Sequence, residues 1–183
     1  MKGRVEIRIA GEGGQGVILA GIILAEAAAV WQGLNATQSQ SYGPESRGGA
    51  SRAEVIIDEE EIDYPRVRQP HVLLALSQEA LDKYLPDVRD GGVVIVDQDR
   101  VVPPACPRRR LIEAPITRLA REKLGRAIVA NMVALGVLAR VSGVVTLEAL
   151  RSAVAHRAPS GTEEVNLRAL ELGYHAPVRE VSD

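Results

Sequence analysis

The chain has 183 residues, 46% of them hydrophobic and 25% charged, with a formal net charge of −2. This is ordinary globular composition, long enough for one well-packed domain, and it gives no global electrostatic case for nucleic acid or an anionic membrane. The single cysteine, Cys106, excludes a disulfide framework, a cysteine-ligated zinc site and an iron–sulfur cluster held by this chain alone, each of which needs several thiolates.

The predicted elements alternate between strand and helix. "RVEIRIA", Arg4 to Ala10, alternates and is β-branched, so it reads as a strand. "GEGGQG" follows at once, and Val17 to Gln32 is a long alanine-rich helix. "LNATQSQ" predicts a second strand and "RAEVIID", Arg52 to Asp58, a third. "HVLLALS" and "GGVVIVD" are apolar runs, with helical "QEALDKYL" after the first. Runs of this kind are buried on both faces and mark the centre of a parallel sheet. "RRLIEA" is the last predicted strand, and helices follow over 116–124, 128–141, 146–156 and 162–173. Thr146 is a candidate N-cap. The expected fold is therefore α/β, a Rossmann-like layered domain with a mostly parallel sheet flanked by helices and a helical C-terminal part. One domain over residues 1–183 accounts for the chain.

The helices Val17–Gln32 and 128–141 each carry one charge, Glu26 and Arg140. A helix apolar nearly all round must be covered on both sides. Either the two pack on each other or another subunit covers them. No run is long enough to span a bilayer and no secretion signal is apparent, so a cytoplasmic protein is expected.

Gly11, Gly13 and Gly16 fit the G-x-G-x-x-G dinucleotide fingerprint between a strand and a helix. Its necessary companion is an acidic residue near the end of the second strand, and "LNATQSQ" has none. The pattern alone leaves a nucleotide-binding protein and a purely structural tight turn both open. His71, His156 and His175 are scattered without metal-ligand spacing. Asp97 and Asp99, just after a central strand, suit a ligand edge or a surface turn; Arg108 to Arg110 suit a phosphate or a solvated basic edge.

"QSYGPESRGGASR", Gln40 to Arg52, has little to bury. Its glycines allow close backbone approach, Pro44 stiffens it, and Arg47 and Arg52 offer planar donor forks to carboxylate or phosphate. The alternative is that the arginines tie the loop to Glu45 or Glu54 of the same domain. In a parallel sheet this loop lies at the same carboxyl edge as the glycine turn.

Read together, "GEGGQG" and "SYGPESRGGASR" resemble the gamma subunits of the 2-oxoacid:ferredoxin oxidoreductases, most nearly those of the 2-oxoglutarate branch. "DYP" at Asp63–Pro65, "VANMVALGVLA" at Val129–Ala139 and "NLRALELGY" at Asn166–Tyr174 extend the likeness over nearly the whole chain. The resemblance implies a single gamma-type domain of the pyruvate/ketoisovalerate oxidoreductase kind, accessory to the alpha and beta catalytic subunits and on the coenzyme A side of the reaction. A ferredoxin-like delta subunit can accompany them, and ferredoxin is the acceptor. The complex is implied to use thiamine diphosphate with Mg2+, iron–sulfur clusters and coenzyme A, none held by this chain alone. The pyruvate, 2-oxoisovalerate and indolepyruvate branches are the alternatives, and a free-standing nucleotide-binding protein is the alternative of another class. No catalytic and no metal-ligating residue is assigned. The expected cofactor-binding or partner-facing residues are those of the two motifs: Gly11, Gly13, Gly14, Gln15, Gly16, Ser41, Tyr42, Gly43, Pro44, Glu45, Arg47, Gly48, Gly49, Ser51 and Arg52.

Overall fold

In the computed structural model, residues 3–41 and 50–181 are described. Seven strands form one sheet: β1 (Val5–Gly11), β2 (Asn35–Ser41), β3 (Ser51–Asp58), β4 (Val72–Ala75), β5 (Val93–Asp97), β6 (Arg110–Ala114) and β7 (Arg179–Val181), in the order β2-β3-β1-β4-β5-β6-β7. The helices are α1 (Val17–Glu26), α2 (Gln78–Tyr84), α3 (Ile116–Leu124), α4 (Ala130–Ser142), α5 (Leu147–Arg157) and α6 (Glu163–Tyr174). None is long and apolar enough to cross a membrane among the described residues.

The α/β class and the C-terminal helices are as expected; the sheet is mixed. β1-β4, β4-β5 and β5-β6 pair in parallel, as the apolar runs of β4 and β5 require, but β2-β3, β3-β1 and β6-β7 are antiparallel. β3 turns back after β2 and inserts beside β1, leaving β2 at the edge. β2 is accordingly polar and partly exposed, whereas β4 is buried throughout. β7, outside the predicted elements, closes the other edge with ion pairs from Arg179 to Glu113 and from Arg110 to Glu180.

Strand alternation divides the interior. Ile7, Ile9, Val55, Ile57, Leu74 and Ile95 face the layer of α1, α3, α4, α5 and α6. Ala10, Leu73, Ala75 and Val94 face α2 on the other side. Asn131 to Ala139 of α4 are all buried. α4 is covered by the sheet on one side and by α6 on the other, which explains its lack of a polar face. The α4–α6 crossing is a backbone contact: a Cβ on Gly173 would lie 1.9 Å from the Val133 carbonyl oxygen, and one on Gly136 2.2 Å from that of Leu170. α1 differs. It continues as a π-helical turn over Ala27–Trp31 rather than as one α-helix, and leaves Val30 and Trp31 exposed.

Candidate functional site at the carboxyl edge of the sheet

The described ends of the two motifs meet at one edge. Gly11, the last residue of β1, pairs with Ser51, and Ser41, the last of β2, pairs with Arg52. The segment between Ser41 and Ala50 therefore leaves and re-enters the fold beside the glycine turn, through an antiparallel pair rather than a parallel one. Tyr42, Gly43, Pro44, Glu45, Arg47, Gly48 and Gly49 lie outside the described residues.

The turn is held from within. The Gln15 side chain accepts from the Glu12 N–H at 2.7 Å and donates to the Leu76 carbonyl at 3.1 Å, fastening the turn to the end of β4. Gly16 caps α1 in the left-handed region, with φ 71°, and a Cβ there would meet Asn131 Nδ2 at 2.4 Å. Asn131, buried at the start of α4, donates to the Gly16 carbonyl at 3.3 Å. Gly11 is equally constrained, since its Cβ would strike Gln15 Oε1 at 2.4 Å. Gly13 and Gly14 are exposed with open space around them; Gly14 has φ 87°, but Gly13 lies outside the left-handed region.

Beside the turn is a cleft of about 260 Å³ lined by Gly14, Gln15, Asp97, Arg100, Thr117, Arg121 and Ile128, among others. Arg100 is paired with Glu12 of the turn at 3.0 Å. Asp97 is 1% exposed, and its oxygens accept from the Thr117 N–H and hydroxyl and from the Asp99 N–H. Burial raises its carboxyl above the ordinary value against the opposing pull of these hydrogen bonds. Asp97 thus ties α3 to the end of β5 and heads the turn at residues 98–100, whose Asp99 and Arg100 N–H groups bond back to it. Ile128 and Val102 stand 79% and 82% exposed near this edge, an apolar rim on a glycine-rich surface.

Arg52 points to the α2 side. Its Nε lies 3.6 Å from Glu54 Oε1, and its guanidinium stands 5.5 Å from the Tyr84 ring centre. Arg8, 3% exposed, joins the same group by donating to Glu54 at 2.8 Å and lies over Tyr84. The tie of Arg52 to Glu54 is therefore present. The Arg108–Arg110 run is also used internally: Arg108 pairs with Asp90, Arg109 donates twice to the Val88 carbonyl, and Arg110 pairs with Glu180.

The dinucleotide reading fails on topology as well as on residue type. The fingerprint needs the second strand beside the first, and β3 occupies that place. Among the described residues no group of three or more His, Cys, Asp or Glu converges to hold a metal, and the buried Cys106 donates to the Pro104 carbonyl. Asn131 escaped the sequence reading; its signal was a lone amide in an otherwise apolar helix.

Residues 6–176 match the family described as Pyruvate ferredoxin/flavodoxin oxidoreductase. The 2-oxoglutarate synthase subunit KorC of Methanothermobacter marburgensis is 52% identical over 176 residues, 93% of this chain and 95% of that one. The structure of a keto/oxoacid ferredoxin oxidoreductase gamma subunit from Geobacter sulfurreducens is 48% identical, with TM-score 0.86 over 94% of this chain and 95% of that one. The fold also recurs, at 23% identity and TM-score 0.82, in the 2-oxoglutarate:ferredoxin oxidoreductase of Magnetococcus marinus, solved with 2-oxoglutarate, coenzyme A and succinyl-CoA bound; the match covers 95% of this chain and 31% of that one.

Proposed function

Because the chain belongs to the pyruvate ferredoxin/flavodoxin oxidoreductase family, we propose that it is the gamma subunit of a 2-oxoglutarate:ferredoxin oxidoreductase, converting 2-oxoglutarate and coenzyme A to succinyl-CoA and CO2 with reduction of ferredoxin. Likeness to KorC along nearly the whole chain supports this substrate branch. Thiamine diphosphate and iron–sulfur clusters would supply decarboxylation and electron transfer from the other subunits. This chain has one thiol, already hydrogen-bonded, and no convergent donor set among the described residues.

The role of this subunit is to present the carboxyl edge to the catalytic subunits and to the approach of coenzyme A. Gly13 carries this reading. The fold itself explains Gly11 by crowding and Gly16 by its backbone, but gives no reason for a glycine at 13: a Cβ there meets nothing within 4 Å and its φ is not left-handed. Close approach from outside supplies the reason.

The test is Gly13→Ala in the complex co-expressed with its catalytic subunits. The isolated variant should melt no lower than wild type, since alanine at an unstrained position stabilises by about 0.4–1 kcal/mol through the unfolded chain. The complex should show a raised KM for coenzyme A or weaker assembly, and the wild-type complex should prefer 2-oxoglutarate to pyruvate. Normal assembly and turnover in the variant would reject the edge; preference for pyruvate would reject the branch.

A further inference from the structure

On the α2 side of the sheet lies a hollow of about 500 Å³ lined by Ser39, Arg52, Glu54, Tyr64, Arg66 and Arg68, among others. It shares no lining residue with the cleft beside the glycine turn. Its floor follows from strand alternation. Val55 and Ile57 of β3 belong to the core beneath α1, so Arg52 and Glu54 project to the opposite face, and Ser39 of β2 stands opposite Glu54. Its wall is the segment 64–68. Arg4 donates to the Tyr64 and Arg66 carbonyls at 2.8 and 3.2 Å, the Arg68 N–H donates to the Glu6 carboxylate at 3.1 Å, and Val67 is buried. The backbone of this segment is thus fastened beside β1, while Arg66 and Arg68 stay exposed.

Charge around this hollow does not balance. Glu54 is the one acid among its lining residues, against Arg52, Arg66 and Arg68. Glu54 is also already engaged, since the buried Arg8 donates to it at 2.8 Å. Arg52 comes only within 3.6 Å of the same oxygen, beyond a good hydrogen bond, and its Nε–H is buried without an acceptor. Arg68 donates to the Tyr64 hydroxyl and lies over its ring, and neither contact neutralises it. The Arg66 side chain makes no hydrogen bond or ion pair among the described residues. A guanidinium N–H buried without an acceptor costs free energy, and an anion seated here would offset the surplus charge.

We propose that this hollow binds a dianionic phosphate group, free in solution or at the end of a small phosphate ester. Guanidinium forks match phosphate oxygens in pairs. A phosphate monoester carries about two negative charges at neutral pH. That equals the excess of the three lining arginines over the one glutamate, Arg8 being balanced by Asp87. Arg66 and Arg68 are the principal donors, held in place by the fastened backbone of their segment. Arg52 and the Ser39 hydroxyl complete the far end. The hollow is larger than one phosphate fills, which leaves room for the rest of an ester. This site goes beyond the role proposed for the carboxyl edge and holds whichever 2-oxoacid the complex uses.

The experiment is titration calorimetry on the full chain at low ionic strength, with inorganic phosphate, glycerol 3-phosphate and succinate as probes. One equivalent of phosphate or of the ester should bind with a dissociation constant of roughly 0.1–1 mM, and added salt should weaken it. Arg66→Gln and Arg68→Gln should each lower the affinity about tenfold or more. Arg66→Gln should melt like wild type without ligand, because its side chain holds nothing, and should lose the rise in Tm that phosphate gives the wild type. Arg108→Gln removes an exposed arginine that is paired with Asp90 and does not line the hollow, and should bind phosphate like wild type. Tighter binding of glycerol 3-phosphate identifies an esterified ligand, and tighter binding of phosphate the free ion; both outcomes support the site. No saturable binding of either would overturn it. So would affinity unchanged in both Arg66→Gln and Arg68→Gln, or an equal loss in Arg108→Gln, which would mark diffuse attraction to a basic surface. Succinate binding as tightly as phosphate would also overturn it, since the hollow would then be a dicarboxylate site. None of these results touches the gamma-subunit reading, which assembly with the catalytic subunits tests separately.

Discussion

Replacing Gly173 by alanine tests how α4 is covered. The added Cβ would lie 1.9 Å from the Val133 carbonyl oxygen and 2.7 Å from its carbon. A carbon–oxygen contact relaxes at roughly 3.3 Å or more, so the helices must separate by more than an ångström at their crossing. Neither side yields easily, because the obstacle is backbone and α4 is held against the sheet on its other face. Overpacking of this kind costs typically about 1–3 kcal/mol, and a backbone obstacle belongs at the upper end. Better helix propensity returns about 1 kcal/mol at most. The net loss should be about 2 kcal/mol, or roughly 4–8 °C in Tm for a domain of this size. Urea denaturation and calorimetry on the isolated chain measure it. Gly136→Ala acts on the same crossing, where its Cβ would meet the Leu170 carbonyl at 2.2 Å. The double variant should therefore cost less than the two single losses together. If Gly173→Ala melts with the wild type, the crossing is not the close backbone contact described and α4 owes its burial to something else.

Two further outcomes follow from the geometry. NADH and NADPH should show no micromolar binding by titration calorimetry, because β2 bears no carboxylate for a ribose and β3 separates it from β1; micromolar affinity would restore the nucleotide-binding alternative. Glu26 should contribute to acid sensitivity. Burial opposes its ionisation, but hydrogen bonds from Arg157 and His156 outweigh burial and hold its carboxyl below the ordinary value of 4.5. With the folded value depressed, its contribution is fully present above about pH 4.5 and is lost as pH falls through the folded value. Glu26→Gln should thus flatten the acid limb of stability against pH; parallel limbs in the two proteins would refute the assignment.

What could be read in advance follows from what leaves a pattern. β4 and β5 were legible because strands buried on both faces are continuous apolar runs, and α3 to α6 because their helical segments lie between clear breaks. The insertion of β3 beside β1 was not, since alternation is the same whether a strand pairs in parallel or antiparallel. β7 has three residues, two charged, and is a strand by its antiparallel pairing with β6, across which its ion pairs lie. The cover over α4 was half legible. Its apolar surface demanded a partner, but that this is α6, approached through Gly136 and Gly173, needs three dimensions.

The glycine turn shows the limit most sharply. One pattern, G-x-G-x-x-G, holds three glycines with three different reasons. Gly11 is small because Gln15 fills the space beside it, and Gly16 because the chain enters α1 through the left-handed region against Asn131. Neither reason involves a ligand, so two thirds of an apparent nucleotide signature is accounted for by internal packing. Gly13 has no such reason within the described fold, and it stands exposed at the edge where β1, β2 and β3 bring both motifs together. The contact proposed at this edge would supply the missing reason. For that reason substitution at Gly13, rather than at its better-explained neighbours, separates the function of the turn from its stability.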